Sequence, residues 1–226
     1  SDAEYRPAFS YESGVVSARL AHGERALLRD IRFSLPAGAQ MALIGETGSG
    51  KTMLMRAISG LIRPTSGRIV INGEQLHKNI SIPRSIGLLL ENPSLLPEYD
   101  ASQNLKLLAK MQGGVPEEEI RQLIRDVGLD DAGHKKVEKY SLGMKQRLGI
   151  AAAILGSPDI ILLDEPINAI DGEGVEEIRS LILSLKNEKR IIIVACHDKE
   201  EMNLLADEIV HLRDGRIEGQ ENGGAA

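Results

Sequence analysis

The stretch GETGSGKT, residues 45 to 52, combines residue types that can do chemistry on phosphate. It fits G-x-x-x-x-G-K-[ST], and it lies between the strand-like MALI and the helix-like MLMRAISGL, the context that this motif needs. Gly45, Gly48 and Gly50 let backbone N–H groups converge on phosphate oxygens without interference from a Cβ. The helix that opens at Gly50 adds the positive end of its dipole. Lys51 supplies a mobile cation for the β- and γ-phosphates, and the Thr52 hydroxyl is a ligand for Mg²⁺. The binding set runs through Gly45, Glu46, Thr47, Gly48, Ser49, Gly50, Lys51, Thr52 and Met53. A chance match is the competing reading, and the flanking strand and helix weigh against it.

Two further runs end in groups that suit the same chemistry. DIILLDEP, residues 159 to 166, closes an apolar strand with adjacent acids. Successive strand residues point to opposite faces, so Asp164 and Glu165 serve different purposes. Asp164 is assigned to the metal held with Thr52. Glu165 is assigned to an attacking water, as general base or as the group that orients it. RIIIVACHD offers His197 after another apolar strand, and open parallel sheets gather ligands at the carboxyl ends of their strands. Glu91 stands at the mouth of a third run, IGLLLEN, and is either a solvated strand end or part of the site.

The elements that hold these residues alternate. Strand-like MALIG, RIVING, IGLLLEN, DIILLDEP and RIIIVACHD are separated by helical patterns, which implies a parallel sheet covered on both faces. Residues 116 to 127 place Ile120, Leu123, Ile124 and Val127 on one helix face, and residues 173 to 187 repeat the pattern. Residues 93 to 158 show helices and no convincing strand, and read as a helical insertion between core segments 1–92 and 159–219. Asp214-Gly215 marks a hairpin turn, and the tail 220–226 reads as disordered.

The 226 residues carry 42% hydrophobic and 27% charged side chains, ordinary for a soluble globular protein. A net charge of −6 argues against general nucleic-acid binding. One cysteine, Cys196, excludes an internal disulfide and fits a reducing cytoplasm. No apolar run approaches the roughly 20 residues of a membrane span.

Together with KYSLGMKQRLGIAAAIL, residues 139 to 155, these motifs resemble the ATP-binding subunit of an ABC transporter. The family signature is LSGGQ followed by x-Q-R. Ser141, Gly143, Gln146 and Arg147 match it, whereas Tyr140, Leu142 and Met144 depart. The resemblance implies an α/β fold: a P-loop NTPase (RecA-like) core with a mostly parallel sheet, an N-terminal antiparallel β part and an inserted helical subdomain. It implies ATP and Mg²⁺ as ligands. It also implies a second such subunit, a copy or a paralogue packed head to tail, and a membrane permease on another polypeptide. The chain would then sit peripherally on the inner face of the cell membrane.

In that arrangement Ser141 and Gly143 close on the partner's nucleotide, and Asp171 in INAID lies across the dimer interface. The residues agree in part, since Ser141 reads as the N-cap of a helix and a capped N-terminus is an anion site. No aromatic falls where the family stacks adenine, which leaves His22 or an aliphatic surface for the base. Glu91 falls where the family usually carries a glutamine that approaches Mg²⁺ and the water, and it is expected to join the catalytic and metal residues by reaching the ion through water when ATP is bound and swinging away without it. A glutamate there, with this signature, is similar to the bacitracin-resistance and lantibiotic-immunity exporters. A soluble ABC ATPase acting on DNA or ribosomes, an importer subunit and a regulatory nucleotide-binding module are the rival readings.

Overall fold

The runs MALI, IGLL, IILLD and IIIVAC all become strands of one sheet. The computed structural model of the chain describes residues 27–132, 134–168, 170 and 172–224, and of residues 16–22 the backbone alone. In chain order the elements are β1 (Val16–His22), β2 (Leu28–Leu35), β3 (Gln40–Ile44), α1 (Lys51–Ile58), β4 (Ser66–Ile71), β5 (Glu74–Gln75), β6 (Ile86–Leu89), α2 (Ala101–Met111), α3 (Glu117–Asp126), α4 (Leu142–Ile154), β7 (Ile160–Asp164), α5 (Gly172–Ser184), β8 (Ile191–Cys196), α6 (Lys199–Leu205), β9 (Glu208–Arg213) and β10 (Arg216–Asn222).

The main sheet has the order β10-β9-β3-β8-β7-β6. Its strands are parallel from β9 to β6, and β10 returns antiparallel beside β9. Side chains of the parallel strands alternate between two cores. Met41, Leu43, Ile160, Leu162, Ile193 and Ala195 face one core, which α1 and an antiparallel sheet cover. Ala42, Ile44, Ile161, Leu163, Val194 and Cys196 face the other, covered by α2 to α6. Continuing this alternation past Leu163 sends Asp164 toward α1, the helix that carries Thr52.

Residues 93–158 hold α2, α3 and α4 and, among the described residues, no strand. The helix α4 lies directly on β6. A Cβ on Gly87 would stand 1.7 Å from the Ala153 carbonyl oxygen, and one on Gly149 would stand 2.7 Å from Pro93 Cγ. Only glycines allow this approach of helix to strand.

Two expectations need correction. RIVING supplies β4, which belongs to a separate antiparallel sheet of order β2-β1-β4-β5. Its residues 66 to 68 are exposed and the rest alternate, the pattern of a strand with one wet face rather than two covered ones. The tail expected to be disordered from residue 220 is in β10 as far as Asn222. The Asp214-Gly215 turn, with φ of 47° and 72°, folds it back on β9 as a two-residue hairpin. Glu221 then accepts from His211 at 2.7 Å and pairs with Lys199 at 2.8 Å.

Candidate functional site

The loop after β3 turns into α1 through Gly50, whose φ of 107° suits glycine. Gly45 leaves no room for a side chain, because its Cβ would lie 2.3 Å from the Leu212 carbonyl oxygen. Ser49 Oγ is buried and without a hydrogen-bond partner, an orphaned polar atom inside the loop. Lys51 is itself buried and donates to the carbonyls of Gly45 at 2.5 Å and Glu46 at 3.1 Å. The loop therefore presents a tethered ammonium suited to phosphate oxygens, with the Ser49 hydroxyl packed behind it against Gly45.

Thr52, in the first turn of α1, donates to Asp164 Oδ2 at 2.5 Å. Asp164 is 3% exposed, and burial pushes its carboxyl pKa up, only partly offset by the Thr52 hydrogen bond. The charges of Glu165 and Glu91 push it further. A buried carboxylate beside a hydroxyl is a hard oxygen pair, the donor chemistry that Mg²⁺ takes alongside nucleotide phosphates. The residues fit the ion.

Glu165 follows β7 with a φ of 50°, unusual for a residue with a Cβ, and its N–H donates to the Ala195 carbonyl at 2.8 Å. That turn carries its carboxylate toward both Lys51, 4.0 Å away, and His197, whose Nδ1 lies 3.0 Å from Oε2. The Gln146 amide on α4 donates to the Glu165 carbonyl oxygen at 3.2 Å. Cys196 completes the surroundings: its sulfur, a Glu165 oxygen and a His197 nitrogen lie within 4.8 Å of one another. Burial pushes the thiol pKa up to about 11, so this cysteine is a neutral neighbour and no nucleophile at ordinary pH.

A cavity of about 510 Å³ joins these groups, lined among others by Thr47, Gly48, Gly50, Lys51, Thr52, Met53, Glu91, Asp164 and Glu165. The structure thus brings the Gly-rich loop, both β7 acids and Glu91 to one place, with His197 at its edge. Glu91 has a φ of 59° and pairs with Arg56 at 3.0 Å. Ser141 and Gly143 do not line this cavity; Ser141 caps α4 by accepting from the Met144 N–H at 3.2 Å. Asp171 lies outside the described residues, and His22 enters only as backbone at the end of β1.

Several participants were absent from the sequence-based set. Leu142 and Gln146 bring α4 to the cavity wall, and Asn92 and Asn168 add amides. Gln146 carried a signal, since it is one of the residues that match the family signature. Arg56 carried none, because its place on α1 four residues after Thr52 does not show that it meets Glu91.

Comparison with known proteins agrees with this geometry. Residues 28–168 match the family model described as ABC transporter. The chain is 49% identical over 195 residues to the uncharacterized ABC transporter ATP-binding protein YybJ of Bacillus subtilis, covering 86% of this chain and 89% of that one. It is 36% identical over 214 residues to the lantibiotic transport ATP-binding protein SrtF of Streptococcus pyogenes, covering 92% of each. Among solved structures, CbiO1 of Clostridium perfringens, part of the ABC transporter complex CbiONQ, superposes with a TM-score of 0.79 at 27% identity, covering 93% of this chain and 88% of that one. The chain belongs to the ABC transporter family, as one of its ATP-binding, ATP-hydrolysing subunits.

Proposed function

We propose that this subunit powers export of a peptide antibiotic or similar amphiphile through a separate membrane permease. Support for the cargo class comes from SrtF, whose name records lantibiotic transport and which aligns along nearly its whole length. Support for assembly with transporter partners comes from CbiO1, which is part of the ABC transporter complex CbiONQ. The subunit would sit on the inner face of the membrane, held there by that permease. The loop after Glu91 is the docking surface that suits it. It is largely exposed, yet the buried Asn104 side chain pins it by bonding both the N–H and the carbonyl of Leu96.

In the chemistry we assign, the Gly-rich loop and Lys51 hold the β- and γ-phosphates of ATP. Thr52 and Asp164 would hold Mg²⁺, which supplies charge neutralisation at the phosphates when bound. Glu165 accepts the proton of the attacking water or orients it, and His197 fixes the Glu165 carboxylate. Ser141, Gly143 and Asp171 would act on the nucleotide of a second subunit packed head to tail, either a copy or a paralogue. The exposed cap at Ser141, outside its own chain's cavity, supports use in trans.

The observation that carries the catalytic reading is the placement of Glu165 between Lys51 and His197. Expression in sensitive cells together with a candidate membrane permease tests the transport reading. ATP-dependent protection of cells against a lantibiotic is expected, and must vanish with Lys51→Ala. Protection that survives Lys51→Ala would overturn it.

A further inference from the structure

The cavity assigned to ATP has an unfavourable charge balance before any nucleotide enters. Three carboxylates, Glu91, Asp164 and Glu165, line it against one ammonium, Lys51. Asp164 and Glu165 each have work at the reacting end. Glu91 adds a third negative charge where a polyphosphate must arrive.

Arg56 answers that charge. It projects from α1 one turn beyond Thr52, and its guanidinium meets Glu91 Oε1 at 3.0 Å. It does not line the cavity, so it reaches the site through Glu91. The left-handed backbone at Glu91 aims the side chain at α1 rather than letting it run on along β6. Both partners are substantially exposed, at 38% and 59%, and exposed pairs contribute little to stability. The pair therefore decides where a charge sits more than whether the chain folds.

We propose that Arg56 is a positioning residue that holds the Glu91 carboxylate away from the phosphate cradle and cancels its charge, so that ATP can enter. The proposal rests on the cavity being the ATP site. A uniform binding effect follows: nucleotide affinity changes, while turnover at saturating ATP changes less.

The test is a double-mutant cycle on the whole chain, read as the Kd of a fluorescent ATP analogue at low salt. Arg56→Ala weakens binding about tenfold, Arg56→Lys stays within about threefold of the parent, and both melt at the parental temperature. In a Glu91→Gln background, Arg56→Ala changes affinity by less than about twofold. The tenfold loss shrinks at 0.5 M salt, where the Debye length is only a few Å. An equal loss in the Glu91→Gln background would mean that Arg56 meets the nucleotide directly, and no loss in either background would mean that the pair is idle; both overturn the proposal. Lys51→Ala separates the two readings: if it binds the analogue as the parent does, the cavity is not the ATP site, whatever Arg56 does.

Discussion

β6 and β7 lie side by side and parallel, and each leads into a glutamate with a left-handed backbone. Beyond that likeness they diverge. Glu165, 25% exposed, faces His197 and Lys51, while Glu91, 59% exposed, faces Arg56. An imidazole can share or release a proton near neutral pH, whereas a guanidinium keeps its own. In the reading proposed above, the same residue type at two neighbouring strand ends serves as a base or as a fixed counter-ion according to its partner.

Changing the residue at the β7 end should have the largest effect. Glu165→Gln is expected to lower ATP turnover by about 10²- to 10⁴-fold while nucleotide binding persists and ATP drives dimer formation, as read by single-turnover hydrolysis and gel filtration. Turnover within tenfold of the parent would remove the contrast between the two glutamates. His197→Ala should cost about 10- to 100-fold in turnover, because the base stays but loses its orienting partner. A loss confined to the Michaelis constant would place His197 with Arg56, as a group acting on binding.

At the β6 end the expected change is smaller and of another kind, the roughly tenfold loss of ATP affinity for Arg56→Ala given above. Smallest is an effect on stability. Asp164, between the two ends, has a carboxyl pKa raised by burial from its ordinary value of 3.8, so ionisation costs the folded state. That penalty is absent below pH 3.8, grows as pH rises from there, and is complete above the higher folded-state value. Asp164→Asn should thus raise the neutral-pH melting temperature by about 2–4 °C, corresponding to ~1 kcal/mol, and lose Mg²⁺-dependent turnover. The gain should fade as pH is lowered toward 4, and a gain independent of pH would assign it to packing.

The loop, Asp164, Glu165 and His197 were legible because each is written in a contiguous run whose strand end fixes its direction. The helical insertion was legible from its lack of strand patterns. Arg56 was not, because its meeting with Glu91 depends on a single backbone turn at Glu91 that no local pattern announces. β4 was misread because an apolar run alone does not say which sheet will take it. Residues 220 to 222 were misread because their polar side chains hide a backbone ladder that β9 completes.

The absent Cβ of Gly87 has a mechanical consequence. Among the described residues β6 is the last strand of its sheet, bonded on one side only, and α4 rests on it without clearance. A tilt of α4 would therefore press on β6, and on Glu91 beyond it, and would pull on Glu165 through the Gln146 amide.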